Sequence, residues 1–128
     1  TRSMILASIS RQETIIPTEA LIHDLKAAGY KLYVLSNMSR EFIEYLRQQP
    51  VYKYFDGEVI SCEEGVVKPM PQIYNILIQR YELDVEHTMF IDDRIENVEV
   101  AKTLGIAPFH FDRNDAESSC VRLREILL

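Results

Sequence analysis

A chain of 128 residues and 14.9 kDa, 47% of them hydrophobic, suits one compact domain around one core and leaves no room for two. Fourteen Lys and Arg against twenty Asp and Glu give a net charge of -6 and a pI near 5.0, which argues against a protein that tracks a nucleic-acid backbone. Apolar runs such as Ile5 to Ala7 and Ile126 to Leu128 fall far short of the roughly 18 residues a membrane span needs, and Cys62 and Cys120 stand apart with no CxxC and no paired histidines. The expectation is a reduced, cytoplasmic, soluble domain with neither a disulfide framework nor a zinc site.

The first segment, Thr1 to Glu13, is weakly patterned, with a short helix over Arg2 to Ser8 as the expectation; the opening Thr1 suggests an N-terminus made by cleavage or by design. Pro17-Thr18-Glu19 followed by Leu21, Ile22, Leu25 and Ala28 predicts a helix capped by Thr18 and stopped by Gly29. Lys31 to Leu35 reads as a buried strand that opens into the polar loop Ser36-Asn37-Met38-Ser39, and Ser39 caps a helix over Arg40 to Gln48. Phe55 to Ile60 reads as a short strand. Pro71 starts a helix through about Arg80 that buries Ile73 and Leu77. Thr88 to Ile91 is an apolar strand running into Asp92-Asp93, followed by a helix marked by Val98, Ala101 and Leu104 and ended by Gly105. Ala107 to Phe111 supplies another strand, and Asp115 caps a last helix through Val121, Leu123, Ile126 and Leu127. Such alternation predicts a parallel sheet with helices on both faces and ligands outside the carboxyl ends of its strands, the edge on which Ser36 and Asp92 fall.

Three local features gain weight together. Ser36 and Asn37 bring a hydroxyl, an amide and backbone N–H groups to a strand–helix junction suited to anions, where the plain alternative is a capping loop. Lys68-Pro69 precedes a helix and can direct an ammonium inward, against the commoner reading of a solvated lysine. Asp92-Asp93 gives two hard-oxygen donors suited to Mg²⁺, although acidic strand ends also form simple turns.

In this order, Val34-Leu35-Ser36-Asn37, Val67-Lys68-Pro69 and Phe90-Ile91-Asp92-Asp93-Arg94-Ile95-Glu96-Asn97 resemble the second, third and fourth motifs of the haloacid dehalogenase-like (HAD) superfamily. The run Val98 to Ile106 and the intervening Tyr54-Phe55-Asp56-Gly57 extend the likeness from about Pro17 to about Phe111. Within the superfamily the chain most resembles bacterial sugar-phosphate phosphatases and the phosphatase domain of epoxide hydrolases. The resemblance implies a Rossmann-like core and Mg²⁺-dependent hydrolysis of a small phosphorylated metabolite through an aspartyl-phosphate. It implies that Ser36 and Asn37 hold the phosphoryl group and that Lys68 pairs with both phosphate and nucleophile. Asp93 would be a metal ligand, Asp92 a second ligand or the group orienting Lys68, and Asn97 a brace for the loop.

The departure is the first motif. No Asp-x-Asp occurs in the 128 residues, so the nucleophile and its acid/base partner are missing from them. The resemblance places that motif after a central N-terminal strand and a helical cap after it. The expectation is therefore a chain missing that strand and most of the cap, with residues 1–16 as cap tail or linker and 17–128 as the C-terminal part of the core. The rest would be absent or supplied by another chain that completes the sheet, and the chain alone would be inactive. The competing readings are three. A response-regulator receiver domain places its acidic pair before the hydroxyl and lysine, the reverse of the order here. A halide-releasing enzyme has no use for paired metal-binding acids. An inactive remnant acting as an interaction module would keep the sheet without the nucleophile. His23, His87 and His110 lack ligand spacing, and the tyrosines read as packing residues.

Overall fold

The computed structural model describes residues 4–7 and 15–128. Five strands form one parallel sheet, β1 (Met4–Ala7), β2 (Lys31–Ser36), β3 (Gly57–Ile60), β4 (Thr88–Asp92) and β5 (Ala107–His110), in the order β3-β2-β1-β4-β5. The helices are α1 (Ile15–Ala27), α2 (Arg40–Arg47), the short α3 (Ser61–Glu64), α4 (Pro71–Arg80), α5 (Ile95–Thr103) and α6 (Ala116–Leu127).

Alternation along the strands sends side chains to two cores. Tyr33 and Leu35 of β2, Val59 of β3 and Phe90 of β4 meet Ile73, Tyr74 and Leu77 of α4 and Ala101 of α5 on one face. On the other face Leu32 and Met89 pack with Leu21 and Leu25 of α1 and Leu123 of α6, while Val34 and Ile60 pack with Ile43 and Leu46 of α2. Helices thus cover both faces of the sheet, as the βα alternation predicts.

The first segment differs from expectation. Met4–Ala7 is a strand in the centre of the sheet, its Ile5 in register with Leu32 on one side and Met89 on the other, where a short helix was expected and where the sheet was expected to lack a strand. Met, Leu and Ala favour helix in isolation, but ladder bonds on both sides outweigh so small a preference over four residues. Ser8 of the expected helix and the rest of 8–14 lie outside the described residues. Helix α1 likewise begins at Ile15, so Thr18 is inside it; Pro17 is tolerated because a first-turn N–H has no intrahelical partner.

Other boundaries follow the local chemistry. Ser39 Oγ accepts from Phe42 N at 3.2 Å to cap α2, Pro71 opens α4, and Asp115 accepts from Ser118 N at 3.2 Å to cap α6. Gly29 and Gly105 take left-handed φ of 96° and 84°. Each closes its helix with paired bonds, Gly29 N to Lys26 O and Tyr30 N to Leu25 O, then Gly105 N to Lys102 O and Ile106 N to Ala101 O, all at 3.1 Å. Strand β3 begins at Gly57 rather than Phe55, because Pro50–Tyr54 winds into a 3-10 turn that carries Phe55 past the ladder. Strand β5 ends at His110, one residue before Phe111.

Candidate active site

The chain runs from β1 through β2 to β3 on one side of the sheet, then returns to build β4 and β5 on the other. The carboxyl ends of β1 and β4 therefore flank the point where the direction of winding reverses, the position at which open α/β sheets bind ligands. Ser36 ends β2 and Asp92 ends β4, both fully buried, and the connection from β3 to α4 delivers Lys68 between them.

Lys68 is the centre of the arrangement. Its side chain is 3% exposed and its Nζ donates to Asp92 Oδ2 at 2.7 Å, with the face of the Phe90 ring 5.8 Å away. Burial pulls the ammonium below lysine's ordinary value, while the Asp92 charge and hydrogen bond resist that fall. Asn37 holds the Lys68 peptide at both ends: Asn37 Nδ2 donates to Lys68 O at 3.1 Å and Lys68 N donates to Asn37 Oδ1 at 2.8 Å.

Asp92 uses both oxygens. Oδ1 accepts from Arg94 N at 2.8 Å, and Oδ2 accepts from Asn97 Nδ2 at 3.1 Å as well as from Lys68. Three bonds to one buried carboxylate fit a group that orients Lys68 better than one that ligates a metal. Asn97, the third residue of α5 and 3% exposed, makes its contact with Asp92 from a buried position. Asp93 is partly exposed beside it, and His110 Nε2 donates to the Asp93 carbonyl at 3.0 Å. Asp93 opens onto a polar depression of about 460 Å³ bordered by Arg94, Glu96, His110, Asp112 and Asn114. Among the described residues no three His, Cys, Asp or Glu side chains gather around a common point. The Asp93 carboxylate at an open polar mouth fits Mg²⁺, which keeps several waters and is often bound through one or two carboxylates plus phosphate oxygens.

All six residues singled out from the sequence converge on this one edge. Sequence reasoning missed Ser61, whose Oγ accepts from Met38 N at 3.1 Å and fixes the loop after Ser36. It also missed His110 as a loop brace and Tyr74, whose hydroxyl donates to Asn97 O at 2.8 Å. Two isolated histidine or tyrosine side chains carry no spacing signal that would have marked them.

A buried lysine–aspartate pair at the switch point of a parallel sheet with helices on both faces defines a Rossmann-like core. Residues 5–105 match the haloacid dehalogenase-like hydrolase family, and the chain belongs to it. It is 28% identical over 109 residues to the sesquiterpene phosphatase astK of Aspergillus oryzae, covering 84% of this chain and 55% of that protein. It is 30% identical over 90 residues to the D-ribitol-5-phosphate phosphatase of Bacteroides thetaiotaomicron, covering 63% of this chain and 43% of that protein. A HAD family enzyme of Bacteroides thetaiotaomicron, solved with magnesium and inorganic phosphate, superposes with a TM-score of 0.66 at 26% identity, over 80% of this chain and 53% of that one. The chain thus spans about half the length of the relatives it matches. The family and its phosphatase branch agree with the motif reading. Among the described residues no helix is long and apolar enough to cross a membrane.

Proposed function

We propose that these residues form the Rossmann-like core of a Mg²⁺-dependent phosphomonoesterase acting on a small phosphorylated metabolite. The carrying observation is the buried Lys68–Asp92–Asn97 cluster, which fixes one cation at the strand edge where an anionic substrate would sit. In this reading Ser36 and Lys68 engage the phosphoryl oxygens, and Asn37 contributes to phosphate binding while holding the Lys68 loop against the group. Asp92 and Asn97 orient Lys68, so that its positive charge faces the anions with no reorganisation during reaction. Asp93 would hold Mg²⁺, which when bound offsets negative charge on the phosphate.

The nucleophile is a carboxylate supplied from outside these residues, by further chain or by another subunit, because no Asp-x-Asp lies within them. It attacks phosphorus and breaks the P–O bond to the alkoxide, which leaves as the alcohol with a proton from the acid/base carboxyl of the same segment; water, giving its proton back to that group, then hydrolyses the aspartyl-phosphate, releasing inorganic phosphate and restoring the carboxylate. Cys62 and Cys120 carry thiols rather than a disulfide, in keeping with a cytoplasmic location. In the enzyme completed with its nucleophile segment, Lys68→Ala and Asp93→Asn should each lower kcat by roughly 10² or more. Near-wild-type turnover in either variant would remove that residue from the mechanism, and no turnover by the completed wild type would leave the remnant interaction module as the reading.

A further inference from the structure

Tyr74 is the largest fully buried side chain among the described residues and lies one turn into α4, facing the first turn of α5. A phenol in an apolar core needs a hydrogen-bond partner, and this one donates to Asn97 O at 2.8 Å rather than to any group of its own helix. That choice links two elements with different loads. Helix α4 follows directly on the Lys68 loop, while Asn97 extends its side chain to Asp92 Oδ2, the atom that also receives Lys68 Nζ. A second line of contact runs through the ring: Tyr74 meets Phe90 edge-on with centroids 5.4 Å apart, and the face of Phe90 lies 5.8 Å from Lys68 Nζ.

We infer that Tyr74 is a positioning residue of the active site, its hydroxyl clamping the start of α5 to α4 so that Asn97, Asp92 and Lys68 keep one geometry. The inference rests on the phosphatase reading for its effect on rate, but the clamp itself is a matter of hydrogen bonding and is tested without substrate. A phenylalanine at this position would fill the same core volume and keep the contact with Phe90, yet would leave the Asn97 carbonyl with only its place in the helix. The α5 first turn then gains freedom, and the carboxamide that steadies Asp92 moves with it. Tyr74 touches no reacting atom, so its loss should act on how the cation is held and not on how much substrate binds.

The test is Tyr74→Phe against Leu77→Val, a core lesion on the same helix that removes no hydroxyl. Hydrogen exchange of the Asn97 carboxamide, followed by NMR in this chain, should speed roughly tenfold in Tyr74→Phe, the scale of one net hydrogen bond, and stay near wild type in Leu77→Val. In the enzyme completed with a nucleophile segment, Tyr74→Phe should lower kcat by about tenfold with KM within a factor of about two, while Leu77→Val changes neither. Unchanged Asn97 exchange in Tyr74→Phe overturns the clamp, as does an equal change in both variants. Unchanged kcat in a working enzyme overturns its positioning role. Failure of the phosphatase reading shows differently, as absence of turnover in the wild type, and leaves the exchange comparison to decide the clamp.

Discussion

Replacing Asp92 by Asn removes one charge from the site while keeping an amide oxygen for Arg94 N, so the cost falls on the atom that receives Lys68 Nζ and Asn97 Nδ2, and the lysine's share is separated by a second substitution. Both side chains are buried, Lys68 at 3% and Asp92 at 1% exposure, and their 2.7 Å contact lies out of reach of solvent screening. Breaking a buried pair by removing one partner costs about 3–5 kcal/mol, because the remaining charge stays desolvated without its counter-charge. For a chain of this length each kcal/mol moves Tm by about 4 °C, so Asp92→Asn should melt about 12–20 °C below wild type. Lys68→Met added to Asp92→Asn removes the stranded ammonium, and the double variant should recover about 2 kcal/mol or more relative to the sum of the singles. Urea unfolding of the four proteins, with thermal melts alongside, supplies the cycle. An Asp92→Asn cost below about 1 kcal/mol, the value of an exposed pair, or strict additivity in the cycle, would refute the claim that Lys68 depends on Asp92.

Acid should weaken the fold through Asp56 and Glu58. Burial raises both carboxyls, but Asp56 accepts from Lys26 Nζ at 2.5 Å and Leu32 N at 2.8 Å, and Glu58 is bound by Arg47 and Tyr52, so both stay below the ordinary carboxylate value. Their contribution is present above pH ~4 and is lost as pH falls through the lowered values; Tm measured from pH 6 to 3 should drop, and less steeply in Asp56→Asn. Gly57→Ala would drive a methyl group into the Tyr81 ring, whose hydroxyl binds both Glu58 N and Glu58 O, and should cost about 1–3 kcal/mol; a Tyr81→Ala background should abolish most of that difference. Ser39→Ala removes the cap of α2 and should cost about 1 kcal/mol in urea unfolding, while an equal loss in Ser39→Asn would argue against capping as the cause.

What the sequence revealed was the part written locally. A capping serine lies three residues before the N–H it accepts, Pro71 marks its own helix start, and a glycine follows each of α1 and α5, so those boundaries needed no tertiary knowledge. The motif residues were legible for another reason: the carboxyl ends of parallel strands share one edge, so Ser36 and Asp92 fall on it once the alternation is read, and the β3–α4 connection brings Lys68 to Asp92. Met4–Ala7 was misread because three of its four residues favour helix and only pairing with β2 and β4 makes them a strand. The Asp56 contact to Leu32 spans 24 positions and the Tyr74 hydroxyl reaches Asn97 across 23. Neither leaves a periodic trace, since a single aspartate in a turn or tyrosine on a buried helix face looks like any other until its partner is in place.

The most direct measurement is hydrolysis of an aryl phosphate, with and without Mg²⁺, by this chain alone and by the chain joined to or mixed with a segment bearing an Asp-x-Asp motif. Turnover only when both the segment and Mg²⁺ are present is the predicted result. Turnover by the bare chain would contradict the account by placing the nucleophile among these 128 residues, and silence in every combination would contradict it by removing the phosphatase activity altogether.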